Sequence, residues 1–313
     1  MTVLKDSERI KGLLLGVAFG DAYAFGWEPD WPPPMDDWVA DATALRTIDV
    51  CGAACYSDDT EMTLILAHHL ASNCGVVRDR LASDLAAKAS LGSFRGYGIT
   101  TTKVLSAIRR GEHWEEASRR VNSYGNGAAI RVAPVAAFFD DEESVARAAD
   151  YQAMITHYHS LGREGAVLIA LAQYLTISGV EPDDLVSELL RLREWSSEYG
   201  KRLSMVHELL EASPPKVREL LGSDSRAHKS VVTAIYCYVR AHGSPLGTVL
   251  NAISLGGDTD SVASMAASLA GAYQGPSAFP SDLVVRLENL ESILGAAEEL
   301  LRARETCATK VLK

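Results

Sequence analysis

Gly256-Gly257-Asp258-Thr259-Asp260-Ser261 places two carboxylates and two hydroxyls in four consecutive positions, after a double glycine and before an apolar run. Far upstream, Ser57-Asp58-Asp59-Thr60 repeats the theme, again at the head of an apolar run. Oxygens of Asp, Ser and Thr are ligands for Mg²⁺, Mn²⁺ or Ca²⁺ rather than zinc. Four carboxylates suffice to clamp two divalent ions about 3.5–4 Å apart. The competing reading is two helix N-caps, where acids and hydroxyls satisfy free amides and suit the dipole. Adjacent like charges exceed what a cap needs, and the pattern occurs twice. Both facts tilt the reading toward a metal site.

Other stretches carry weaker signals. Gly125-Asn126-Gly127 feeds an apolar helical pattern, a geometry that binds phosphate through backbone amides, although an ordinary turn has the same composition. Arg131, one turn on, either adds charge to such a site or faces solvent. His157 and His159 are spaced as a metal pair or as two locally hydrogen-bonded rings. Glu28, beside Trp27 and a proline-rich loop, reads from residue type alone as a solvated carboxylate.

Helices must position these groups. Ile10, Leu13, Leu14, Val17 and Ala18 give one buried helical face, and Gly12, Gly16 and Gly20 leave room for a helix or ligand to approach. Prolines 29, 32, 33 and 34 exclude helix, so 29–55 is expected to be an irregular loop of functional length. Helical spacing returns from Ser57 to Leu70 and over 77–90, then as two short helices over 100–122 broken at Gly111. It continues over 142–156, 160–176, a polar layer at 182–221, 228–241, 245–255, a strong helix through Val262 to Tyr273, and 281–304. Sustained period-two alternation is absent. The expectation is an all-α orthogonal multi-helix bundle in a single domain over 1–313.

Bulk properties narrow the function. A net charge of −11 over 313 residues argues against stable nucleic-acid binding. Five cysteines without a CxxC pair read as reduced thiols. With neither signal-peptide shape nor an apolar run long enough to span a bilayer, a cytoplasmic protein away from the membrane is expected.

Taken in order, the motifs resemble the ADP-ribosylglycohydrolase family, which includes the dinitrogenase reductase-activating glycohydrolases. The carriers are Gly12 through Asp21, Glu28, Tyr56 through Met62, Tyr124 through Pro134, Thr156-His157 with Ser160-Leu161-Gly162, and Gly256 through Ser261. The resemblance implies an all-α fold around two Mg²⁺ or Mn²⁺ ions. It assigns Ser57, Asp58 and Asp59 to one side of that centre, and Asp258, Asp260 and Ser261 to the other, with serine replacing the usual threonine at 57 and 261. Gly125, Asn126 and Gly127 would line the pyrophosphate of ADP-ribose, His157 would contact the same ligand, and Glu28 or Asp59 would do acid–base work. The implied reaction cleaves the bond from C1″ of ADP-ribose to an acceptor, with protein arginine preferred. Serine-linked, poly- and O-acetyl-ADP-ribose stay open as substrates, as do phosphohydrolysis and a non-catalytic ADP-ribose-binding or immunity role. The partner is an ADP-ribosylated protein or a small ADP-ribose compound. The Trp31-Pro32-Pro33-Pro34 stretch departs from the family pattern.

Overall fold

A computed structural model describes residues 6–311, with side chains through residue 307. Its first half runs α1 (Asp6–Ala24), α2 (Asp58–Asn73), α3 (Arg78–Lys88), α4 (Ile99–Arg109), α5 (Trp114–Val121), α6 (Ala133–Phe138), α7 (Glu142–Ala153) and α8 (Ser160–Ile177). The second half runs α9 (Pro182–Leu192), α10 (Ser197–Met205), α11 (Pro214–Leu220), α12 (Ala227–Arg240), α13 (Pro245–Leu255), α14 (Thr259–Gln274), α15 (Ser281–Val284) and α16 (Leu290–Val311). The fold is all-α, as the apolar periodicity requires. No described helix is long and apolar enough to cross a membrane.

The central contact is α1 against α14, and sequence dictates it. Glycines four apart line one stripe of a helix. A β-carbon at Gly12, Gly16 or Gly20 would fall 2.0, 2.1 or 2.2 Å from the carbonyl oxygens of Gly271, Ala267 and Ala263. The two backbones therefore touch, running antiparallel, and the end of α1 lies beside the start of α14. The stripe admits a helix. Around it, α8, α12 and α13 close one flank of α14, while α2 and α16 pack on the other side of α1.

Four expectations need correction. Segment 29–55 is only partly irregular: a 3₁₀ turn spans Phe25–Asp30, and β1 (Ile48–Val50) pairs antiparallel with β2 (Ala53–Cys55). Three-residue strands are too short to display alternation. Second, Cys74 and Cys307 form a disulfide with Cα atoms 5.6 Å apart, tying the end of α2 to α16; only Cys51, Cys55 and Cys237 are free. Pairing across the whole chain leaves no spacing signature, and it removes the thiol argument for a reducing compartment.

Third, Arg131 neither faces solvent nor lines the site cavity described below. It is wholly buried, donating to Gln152 Oε1 at 2.7 Å and to the Gln152 carbonyl at 2.9 Å. Burial pulls its pKa down to about 10. It braces the glycine loop against the end of α7. Fourth, Gly125–Gly127 does not open a helix, since turns carry the chain on to Arg131 and α6 starts only at Ala133. The expected amide cradle at a helix N-terminus is not formed.

Candidate functional site

The N-terminus of α2 is built by a buried acid that residue spacing alone does not reveal. Asp21, near the end of α1, accepts from the backbone amides of Ser57 (2.9 Å) and Thr60 (3.0 Å), and from the Thr60 hydroxyl at 2.6 Å. Ser57 then caps α2, its hydroxyl accepting from the Asp59 amide at 3.1 Å. These bonds leave the Asp58 and Asp59 carboxylates free of capping duty. The signal for Asp21 is an acid that closes the apolar, glycine-striped run beginning at Gly12.

At α14 the cap reading fails. Asp258 occupies the N-cap position but makes no side-chain cap bond. Its Oδ2 instead accepts from the Asn126 carboxamide at 2.6 Å, and its amide donates to the Ser223 carbonyl at 2.7 Å. The double glycine before it is obligatory. Gly256 and Gly257 hold φ of 63° and 81°, and their β-carbons would fall 2.3 Å from the carbonyl oxygens of Pro32 and Ser223. The Gly257 amide and the Arg218 guanidinium both donate to the Pro32 carbonyl, at 2.9 and 2.7 Å, so the proline loop is riveted to this motif.

These elements meet around a cavity of about 380 Å³. Asp58, Asp59, Asp258, Asp260 and Ser261 line it, together with Glu28, Gly125, Asn126, Gly127 and His157. Ser57 is the one expected ligand that does not. Trp31, Gly96 and Thr101 also line the wall. Gly96 sits at φ 78° against the Glu28 carboxylate, where a β-carbon would lie 2.9 Å from Oε2.

His157 is neutral. Burial, helped by the Arg131 charge, drives its pKa down to about 3, and Nδ1 lies 2.8 Å from the Thr156 hydroxyl. A β-carbon on Gly127 would meet the ring at 2.8 Å, which explains that glycine. His159 belongs elsewhere: it caps α8 through the Leu161 amide at 3.1 Å and packs on Tyr124. The two histidines are not a metal pair.

The electrostatics are one-sided. Among the described residues no Lys or Arg lines the cavity. Burial first, then mutual repulsion, holds Asp58, Asp59 and Asp260 well above the usual carboxylate range. Burial and the charges of Asp258 and Asp21 push Glu28 up to about 7. Asp258 is pushed up to about 6 by burial, its hydrogen bonds from Asn126 and Ser261 opposing the shift.

The donors present fit a hard divalent cation. Asp59 Oδ2 is buried with no hydrogen-bond partner, an arrangement too costly to keep without a role for that oxygen. Among the described residues no three His, Cys, Asp or Glu side chains close on a single point. A cation that retains much of its water shell needs only one or two carboxylates.

A sequence model of the ADP-ribosylglycohydrolase family matches residues 2–309. The chain belongs to the ADP-ribosylglycohydrolase family. With that membership it is a glycohydrolase enzyme. It is 32% identical to the mouse protein named ADP-ribosylhydrolase ARH3, over 94% of this chain and 91% of that one. Against the human protein of the same name the identity is 33%, over 94% and 93%. The fold matches a solved chain titled "ADP-ribosylglycohydrolase-related protein complex" at a TM-score of 0.74 and 21% identity, covering 96% of this chain and 99% of that one. The α1–α14 glycine seam and the two acidic helix starts are thus the frame of this ADP-ribosylglycohydrolase.

Proposed function

We propose that this chain hydrolyses the glycosidic bond at C1″ of ADP-ribose, releasing ADP-ribose from an acceptor with the help of two divalent ions. The carrying observation is the pair of acidic helix starts, Asp58-Asp59 and Asp258–Asp260, facing one cavity that no Lys or Arg among the described residues lines. Asp58, Asp59, Asp258, Asp260 and Ser261 would hold Mg²⁺ or Mn²⁺. Ser57 joins them through the second lone pair of its capping hydroxyl. When bound, the ions supply Lewis-acid stabilisation and lower the pKa of water.

The chain's own groups divide the remaining work. Glu28, at the cavity wall and held above the usual carboxylate range first by burial, would deliver a proton to the departing acceptor. Its carboxylate form stabilises the oxocarbenium character that develops at C1″. Neutral His157 presents its ring to the bound ligand from the wall formed by Gly125 and Gly127. Asn126 serves this site by orienting Asp258 rather than by meeting the pyrophosphate with its carboxamide.

The arginine acceptor rests on likeness to the dinitrogenase reductase-activating branch. The curated relatives above carry the ADP-ribosylhydrolase ARH3 name instead, so serine- and arginine-linked ADP-ribose stand on equal footing. The test incubates the protein with arginine- and serine-ADP-ribosylated proteins, with Mg²⁺, Mn²⁺ or a chelator, and follows free ADP-ribose. Release that depends on a divalent ion supports the reading. AMP plus ribose phosphate would mark a phosphohydrolase, and no product with either substrate would overturn the catalytic reading.

A further inference from the structure

The chain contains five tryptophans, and four of them are internally satisfied. The indole N–H groups of Trp27, Trp38, Trp114 and Trp195 donate at 3.0, 2.9, 2.6 and 2.8 Å to acceptors in the protein. Each of those rings also carries an arginine, with guanidinium carbons 3.4 to 5.6 Å from the ring centroids. Trp31 is different. It is 47% exposed, and among the described residues its ring has no cationic or aromatic partner and its indole N–H no acceptor.

The backbone presents Trp31 on purpose. It sits at φ 40° and ψ 58°, a left-handed conformation costly for a bulky residue, at the end of the 3₁₀ turn that carries Glu28. The following residue is Pro32, whose carbonyl is gripped by Gly257 and Arg218. The backbone that carries the indole is therefore anchored beside Asp258, at the wall of the same cavity.

Glu28, three residues before Trp31 at the same 3₁₀ turn, puts the departing acceptor it serves on the Trp31 side of the cavity. This step rests on the activity proposed above. An ADP-ribose unit occupying the cavity leaves its protein acceptor outside, across the mouth. The exposed apolar groups of that wall are Trp31 and Ile99, the latter 75% exposed. The chain from Glu28 to Asp41 carries five acids and no Lys or Arg. Of these, Asp36 and Asp37 are exposed with no cation partner among the described residues. A free indole face in a segment that carries acids and no Lys or Arg suits a cationic side chain, since the ring quadrupole attracts that charge and the segment does not repel it.

We propose that Trp31 is a specificity-determining residue that stacks on a Lys or Arg side chain next to the modified residue of a basic acceptor segment. The enzyme thereby prefers ADP-ribose attached within basic sequence.

The test uses two peptides ADP-ribosylated at the same single residue, one flanked by Lys and Arg, the other by Gln. kcat/KM is measured for the full chain and for Trp31→Ala and Trp31→Phe, with divalent ion and at low and high salt. The expected result is a preference of about five-fold or more for the basic peptide, lost in Trp31→Ala, largely kept in Trp31→Phe, and weakened by salt. An equal or acidic preference in the unmodified chain overturns the proposal, as does a basic preference that survives Trp31→Ala. The peptide pair is made once with arginine-linked and once with serine-linked ADP-ribose, and release from neither linkage overturns the activity reading and this inference with it. Release without a Trp31-dependent preference overturns this inference alone.

Discussion

Asn126 and Asp258 lie 132 positions apart, yet the Asn126 carboxamide donates to Asp258 Oδ2 at 2.6 Å while also reaching the Ser230 hydroxyl at 3.1 Å. The glycine loop and the start of α14 are thus locked through one amide. Outer partners of metal-holding carboxylates typically matter 10–100-fold in affinity or activity. Asn126→Ala is expected to lower kcat/KM in that range and to weaken Mn²⁺ binding by calorimetry, with helix content unchanged. Asn126→Asp adds a like charge against Asp258 and is expected to lose more. Unaltered Mn²⁺ affinity in both variants would remove Asn126 from this role.

The α1–α14 seam and the open surface of α16 predict stability effects of opposite sign at two glycines. At Gly16 a β-carbon would lie 2.1 Å from the Ala267 carbonyl, so Gly16→Ala forces two backbones apart. Its cost is expected at or above the 1–3 kcal/mol typical of overpacking. Gly295, in α16, has open space around the same position, so Gly295→Ala is expected to add up to about 1 kcal/mol through helix propensity. Urea denaturation of the two variants checks both signs, and equal shifts would contradict the close-packed seam.

Much of this architecture was legible because its signals are local. Helical spacing located α1, α2, α8 and α14, and the doubled acid–hydroxyl motif pointed to residues that do line one cavity. What stayed hidden depends on contacts between distant segments. Asp21 looks like any helical acid until its two backbone acceptances from α2 are seen. Arg131 reads as a site charge or a solvent-facing one, yet its guanidinium is satisfied internally by Gln152. Asp58 and Asp258 share a motif type but not a cap role, because the Ser57 hydroxyl caps α2 while Asp258 leaves its own helix uncapped. The disulfide escaped for the same reason: its cysteines are 233 residues apart.

That cross-link closes most of the chain into one loop, and a long loop loses the most entropy in the unfolded state. Reduction, or Cys74→Ser, is expected to lower unfolding free energy by about 2–4 kcal/mol. Guanidinium denaturation with and without reductant measures it. A mid-point indifferent to reductant in the unmodified chain, with the bond verified by thiol titration, would show that α16 holds to α2 by packing alone.

His157 yields the pH prediction. Its folded pKa is lowered to about 3 by burial and the Arg131 charge, whereas an unfolded histidine titrates near 6.5. As pH falls below about 6.5 the unfolded chain binds a proton that the folded site refuses. The stability associated with neutral His157 is therefore complete above that pH and is lost as pH falls toward 3, at about 1.4 kcal/mol per unit. The raised carboxylates act with the opposite slope, but they are common to a His157→Gln variant and cancel in the difference. Urea denaturation of both proteins at pH 7, 6 and 5 should give a stability difference that shifts toward the variant at each step down. A constant difference would mean that His157 takes up its proton as readily in the folded state as in the unfolded chain.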